Sequence, residues 1–235
     1  MSDESIKATA RWGSGWQKNG EWRAHTVDEI AAVRFAGGYF DMLEATVGWR
    51  PQPGMNGLDI GAGAGHIANA LSLLGIHMVG AEWNEAGLTL MHGENPGLDT
   101  RLIDVMEFHE PNAWDFILCR ELYPFTRTNS FTDQHKIIER LIDSLKPGGC
   151  LMLVASDASR PHCLDQRLLL QVLRKNPQVA QIVGQYLEAL VCRPGVWCVG
   201  QWGYKLLSLM LLPLFWWKKY FRNWVTIYVI AIRKR

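Results

Sequence analysis

The stretch Leu58-Asp59-Ile60-Gly61-Ala62-Gly63-Ala64-Gly65-His66 constrains the fold of this chain more than any other. An apolar run closes on an acid, glycines follow at every second position, and helical periodicity begins at once. That is the outline of a strand, a tight turn and a helix. Glycines at such a turn admit positive φ angles and let a ligand approach main-chain N–H groups that no Cβ shields. Turns of this kind hold nucleotide-like ligands at the carboxyl edge of a parallel sheet.

The glycine spacing narrows the ligand. A dinucleotide fingerprint places glycines first, third and sixth, but the sixth position here is His66 and the third glycine is Gly65. Asp59, two residues before the first glycine, would repel a pyrophosphate and suits a ligand with positive charge. The pattern Asp59-Ile60-Gly61-Ala62-Gly63-Ala64-Gly65 resembles the first motif of the class I S-adenosylmethionine-dependent methyltransferases. The resemblance implies that Asp59, Gly61, Ala62, Gly63 and Gly65 wrap the amino-acid end of S-adenosyl-L-methionine.

Companion signals follow in order. His77-Met78-Val79-Gly80-Ala81-Glu82 reads as a second buried strand closing on an acid. Glu82 stands about twenty residues past the loop, where doubly wound folds place a carboxylate on the ribose hydroxyls. Trp83 offers a face to adenine, and Asn84 reads as a helix N-cap. Thr100-Arg101-Leu102-Ile103-Asp104 is a short strand ending in another acid, which in the family contacts the adenine amino group, with Val105 beside it. Trp114-Asp115-Phe116-Ile117-Leu118-Cys119 resembles the fourth strand, with Cys119 at its cofactor end, and Leu145–Val154 resembles the Pro-Gly-Gly turn and fifth strand. Each acid alone is equally explained as a strand-end cap. Together, across roughly residues 55 to 156, they imply an α/β fold: a doubly wound, seven-stranded, mostly parallel sheet with an antiparallel C-terminal strand and helices on both faces.

The chain divides into residues 1–54, a loop and helix cap, and 55–235, the catalytic domain, with a hydrophobic helical insertion at about 160–223. Trp12–Gly20 reads as loop; Thr26-Val27-Asp28-Glu29 makes a capping box for a helix ended by Pro51 and Pro53. Helices are expected at His66–Leu74, Glu85–Met91 and Asp133–Leu145, the last capped by Thr132, with a helical region from Leu164 to Leu190. The sixth strand is expected at Gly195–Trp202 and the last at Trp224–Ile232. At 235 residues one substantial core is feasible. A net charge of +1 gives no nucleic-acid footprint. The five cysteines show no metal or secreted-disulfide spacing. The polar, acidic start lacks a signal peptide, which implies a cytoplasmic location.

The segment Lys205–Arg222 combines an apolar run containing Pro213 with Trp216, Trp217, Lys218, Lys219 and Arg222. It is too short to span a bilayer, which takes about 20 residues. A buried helix, a lid over an apolar substrate and a peripheral membrane contact all fit it.

Methyl transfer asks the protein to position a nucleophile and to help remove its proton. Glu121 is the best candidate base, with Tyr123 and Arg120 as orienters, and His162 has an intrinsic pKa suited to proton transfer. Plain loop or salt-bridge roles compete for each. No metal-binding acid cluster and no Asn/Asp-Pro-Pro-Tyr/Phe signature follows Leu118. The expected reaction is therefore metal-free transfer, at oxygen by preference, to a small-molecule, glycan or lipid-linked acceptor. Arg120, Arg127 and Arg160 suit an anionic one. Two rival readings are a catalytically silent protein of this fold acting as a membrane-proximal partner, and an NAD-dependent oxidoreductase. Oligomeric state leaves no mark in the sequence.

Overall fold

The computed structural model describes residues 15–18, 21–24, 29–127, 130–156, 164–187, 206, 209–211, 213 and 227–235. Nine strands and six helices are described, beginning with a hairpin of β1 (Gly15–Lys18) and β2 (Glu21–Ala24). This corrects the expectation of a loop at Trp12–Gly20. Trp16 and Trp22, one on each strand, supply strand propensity. Helix α1 (Glu29–Val47) follows; Thr26–Asp28 lie outside the described residues.

The main sheet has the order β5-β4-β3-β6-β7-β9-β8. Its parallel half is built from β3 (Asn56–Ile60), β4 (His77–Glu82), β5 (Asp99–Leu102), β6 (Trp114–Arg120) and β7 (Leu145–Ser156). Strand β9 (Ile227–Lys234) runs antiparallel between β7 and β8 (Val179–Leu187). The seven strands and the antiparallel C-terminal strand agree with the expectation. So does the apolar run of β6, which is buried on both sides. Phe116 and Leu118 join one core cluster, and Ile117 and Cys119 the other.

Helices α2 (His66–Leu73) and α3 (Glu85–Glu94) cover the first face together with α1. Tyr39, Phe40, Leu43 and Val47 of α1 lie in the same cluster as Phe116, and Trp49 stacks on Phe116 at 5.6 Å. The second face carries α4 (Tyr123–Arg127), α5 (Phe131–Ser144) and α6 (Gln166–Leu173). Asn84 caps α3, accepting from the Gly87 amide at 2.8 Å, as its residue type and place require.

Four further expectations change. Ser130, not Thr132, caps α5: its Oγ accepts from the Asp133 amide at 3.3 Å, which draws Thr132 into the first turn. The helical region from Leu164 breaks after Leu173, because Pro177 cannot continue a helix and biases Asn176 away from helical backbone. The chain then enters β8, so the sixth strand is Val179–Leu187; Gly195–Trp202 lies outside the described residues. The last strand runs to Lys234, past the expected end at Ile232.

Two polar ties set the register. Asp115 accepts from the Asn56 amide at 2.9 Å and the Lys146 ammonium at 2.7 Å, joining the starts of three strands. Lys234, only 8 % exposed, donates to Asn112 Oδ1 and to the carbonyls of Asp143 and Leu145 at 2.7–3.0 Å. It places a cation at the negative end of α5 while satisfying carbonyls that the helix leaves open. Lys234→Met is expected to lower stability by about 2 kcal/mol, because buried acceptors lose their donor. A urea midpoint that does not move would show that these carbonyls find other donors.

Candidate functional site

The turn after β3 is folded back on β4. Gly61 and Ala62 donate to the Ala81 carbonyl at 2.8 and 3.0 Å, Gly63 to Glu82 Oε1 at 2.7 Å, and Gly65 to the Ala62 carbonyl at 3.0 Å. Gly61, Gly63 and Gly65 all have positive φ, and Gly65 initiates α2 in the left-handed region. The amides expected to meet a ligand are thus committed to the turn itself. From outside, the buried Asn95 amide side chain, at the end of α3, donates to the Ala64 carbonyl at 2.7 Å. Nothing in the sequence pattern near Gly61 marks this brace.

Beyond β6 the chain turns sharply. Glu121 has φ of 50°, unusual for a residue with a side chain, and its amide donates to the Val154 carbonyl at 2.7 Å. The turn drives Leu122 onto Gly61: a Cβ there would lie 2.7 Å from Leu122 Cδ1. Gly61 is a seat for Leu122 as well as a turn residue.

Between these strand ends lies a cavity of about 240 Å³. Of the expected cofactor residues, Gly61, Glu82, Trp83, Asp104 and Val105 line it. Asp59, Ala62, Gly63, Gly65 and Cys119 are not in its wall; the loop members support it from behind. Of the expected catalytic residues, Tyr123 lines it, Glu121 adjoins it in sequence, and His162 lies outside the described residues. Ile60, Ile103, Met106, Leu122 and Pro124 also line it and were not anticipated. They flank strand-end acids or follow β6, and apolar residues there look like ordinary core.

The electrostatics are uneven. Burial, the largest influence, raises Glu82 above the usual carboxylate range, opposed by the amides of Gly63 and Trp83. Burial also lifts Asp59 to about 7; Arg120 pulls it down and Glu82 pushes it up. Cys119 is held well above an ordinary thiol by burial and by Asp59, so it behaves as a small apolar residue. Asp104 is exposed and accepts from the Met106 amide at 2.8 Å, closing a turn. The Trp83 indole lines the cavity with a buried Nε1 that meets no acceptor among the described residues.

These features fit an adenosine-like group. The cavity offers a carboxylate able to accept from hydroxyl groups, apolar walls able to hold a flat ring, and an indole N–H that meets no acceptor among the described residues. A family described as Methyltransferase domain matches residues 33–190. No curated protein matches the sequence significantly. Among solved structures, the chain is similar to the N-methyltransferase NodS from Bradyrhizobium japonicum WM9 in complex with S-adenosyl-L-homocysteine. That match has 13% identity and a TM-score of 0.58, over 98% of this chain and 97% of that one. A TehB-like SAM-dependent methyltransferase from Corynebacterium glutamicum matches at 12% identity and 0.55, over 87% and 88%. Phosphoethanolamine N-methyltransferase 2 from Haemonchus contortus, with S-adenosyl-L-methionine, matches at 17% identity and 0.54, over 88% of this chain and 57% of that one.

Proposed function

This chain belongs to the Methyltransferase domain family, among the class I S-adenosylmethionine-dependent methyltransferases, and on that premise we propose that it methylates a small-molecule, glycan or lipid-linked acceptor, at oxygen and without a metal. One observation carries the reading. The glycine turn spends the amides of Gly61, Ala62 and Gly63 on β4, Glu82 included, and that of Gly65 within itself, while the cavity beside it offers a carboxylate and apolar walls. A pyrophosphate needs outward amides; a nucleoside with a cationic tail does not.

In this proposal Glu82 holds the ribose hydroxyls, Trp83, Val105 and Ile103 hold the base, and Asp104 holds its amino group. Asp59 and the loop Gly61–Gly65 sit at the cationic end, and residues 1–54 cap the site. When bound, the cofactor would supply an electrophilic methyl carbon on a sulfonium, to which the acceptor's lone pair would bond in line as the carbon–sulfur bond breaks and the neutral thioether leaves. Glu121, at the turn after β6, takes the acceptor proton on its carboxylate, and Tyr123 orients the acceptor. The strained backbone of Glu121 supports this role, since such geometry is kept where a side chain must be aimed. The Haemonchus contortus enzyme is named for a small phosphorylated amine, and an acceptor of that size, anionic, is the class we favour.

Calorimetry with S-adenosyl-L-homocysteine and with NAD tests the cofactor. Binding of the first alone is expected, and binding of NAD alone would overturn the reading. Transfer of labelled methyl to panels of anionic, neutral and cationic acceptors then tests the acceptor class. Glu121→Gln is expected to lower turnover by about 10²-fold with the cofactor affinity kept, the usual contribution of a general base. Unchanged turnover would remove Glu121 from that role.

A second reading concerns the segment after residue 205. Leu206, Leu209 and Met210 are 63–70% exposed, and the sequence continues into Trp216, Trp217, Lys218, Lys219 and Arg222. No helix among the described residues is long and apolar enough to cross a membrane. Exposed apolar residues beside a basic cluster suit an anionic lipid surface. Co-sedimentation with anionic but not neutral vesicles is the expected result; equal failure with both would set this reading aside.

A further inference from the structure

Strand register gathers three charged residues on one face of the sheet. Asp59 pairs with Leu118 on one side and with Gly80 on the other. Residues two apart on a strand share a face. Arg120 and Glu82 therefore lie on the face of Asp59, each one step nearer the carboxyl edge. Helix α1 covers that face, and the Arg120 guanidinium lies over the Phe35 ring at 5.9 Å. Asp59 is 3% exposed and Glu82 8%. Among the described residues, two buried carboxyl groups thus share this face with one guanidinium.

We propose that Arg120 is a positioning residue that favours the ionised form of Asp59, so that the site can meet the cationic end of S-adenosyl-L-methionine with a carboxylate. The proposal rests on the cofactor reading above. Without the guanidinium, two neighbouring buried carboxyl groups would have no cation from β6, and one of them would hold a proton. A cationic ligand would then have to expel that proton. Other titratable groups on the surrounding elements include Tyr39, fully buried on α1 in the same core cluster, Asp41 and Glu44 on α1, His66 at the start of α2, His77 on β4, and Asp115 and Cys119 on β6. Both α1 acids bind Arg50 at 2.9 and 2.7 Å and are exposed.

The test is the pH profile of S-adenosyl-L-methionine affinity, by calorimetry from about pH 5.5 to about 9, in the wild type, Arg120→Met, Arg120→Lys and Asp59→Asn. Below its midpoint the wild type should lose about tenfold in affinity per pH unit, as one proton must leave. Arg120→Met should move that midpoint up by about one unit or more and recover affinity in base. Arg120→Lys should follow the wild type, and Asp59→Asn should be weak and flat. If Arg120→Met does not fold, Arg120→Gln replaces it, dropping the charge while keeping a polar side chain.

The unliganded protein supplies a second readout. Asp59 holds its proton to about pH 7 when folded but releases it near 3.8 when unfolded. Wild-type stability should therefore fall as pH rises through that window and level off above it, and Asp59→Asn should lack the fall. Removing the Arg120 charge should extend the fall to higher pH. Superimposable profiles for wild type and the charge-removing variant would overturn the role of Arg120 alone. A wild type that binds neither S-adenosyl-L-methionine nor its demethylated product at any pH would overturn the cofactor reading as well.

Discussion

Glu82→Ala is expected to weaken S-adenosyl-L-homocysteine binding by about 100-fold while leaving the unliganded melting temperature nearly unchanged. The side chain has two tasks. Its Oε1 accepts from the Gly63 amide at 2.7 Å, which fixes the glycine turn. In the proposed complex it also meets the ribose hydroxyls. Hydrogen bonds to a charged group contribute about 1.5–3 kcal/mol each, and 1.4 kcal/mol is tenfold in affinity. The two tasks together account for two decades. Stability should respond less, because opposing effects meet at this residue. Alanine leaves the Gly63 amide without its acceptor, but it also relieves the cost of burying a carboxylate, the dominant influence raising Glu82. Glu82→Gln keeps the shape and an acceptor oxygen, and should fall between the two. Calorimetry and a thermal melt on the same preparations check both halves. A large loss of stability without a loss of affinity would make Glu82 a brace for the turn and not a ligand.

Gly65→Ala should be the most damaging single methyl group in the cofactor loop. Gly65 has φ of 80°, a conformation that costs a residue with a Cβ about 1–2 kcal/mol. The added carbon would also lie 2.6 Å from Met91 Cγ and 2.9 Å from Leu98 Cδ2. Met91 is fully buried and Leu98 nearly so, so neither can move aside without disturbing the first core cluster. Overpacking of this kind adds about 1–3 kcal/mol. The sum, about 3 kcal/mol, corresponds to a melting temperature lower by about 9 °C in a chain of this length. The double variant Gly65→Ala, Met91→Ala should be less destabilised than the two single effects added, because the second change clears the space that the first requires. Strict additivity, or a melt within about 2 °C of wild type for Gly65→Ala, would mean that the loop rebuilds itself around the methyl group.

What could be read from the chain was whatever short-range chemistry makes compulsory. Positive-φ turns call for glycine, so the three glycines after Asp59 announced the first crossover. A buried central strand calls for an unbroken apolar run, so β6 was visible in Trp114–Cys119. An N-cap calls for a short polar side chain, so Asn84 was legible. Where several residues met the same local requirement, sequence could not choose among them: Ser130 and Thr132 are both good caps, and the turn selected Ser130. Leucine spacing likewise carried the helical reading past Leu173, although Pro177 forbade it.

The wall of the site belongs to a different category. Ile60, Ile103, Leu122 and Pro124 come from three separated segments, and each looks like core until the strand ends are set side by side. That Gly61 is a seat for Leu122, that Asn95 braces Ala64, and that Asp59, Glu82 and Arg120 share a face all follow from strand register. Register is fixed by long-range pairing, in which each strand buries its own apolar alternation against its neighbours. The amino-acid order alone determined the family and the place of its turns, because those depend on backbone conformations that few residue types can adopt. Only the assembled sheet decided which side chains meet across the cavity and which carboxylate lies beside which guanidinium, because those distances exist only once the strands are paired.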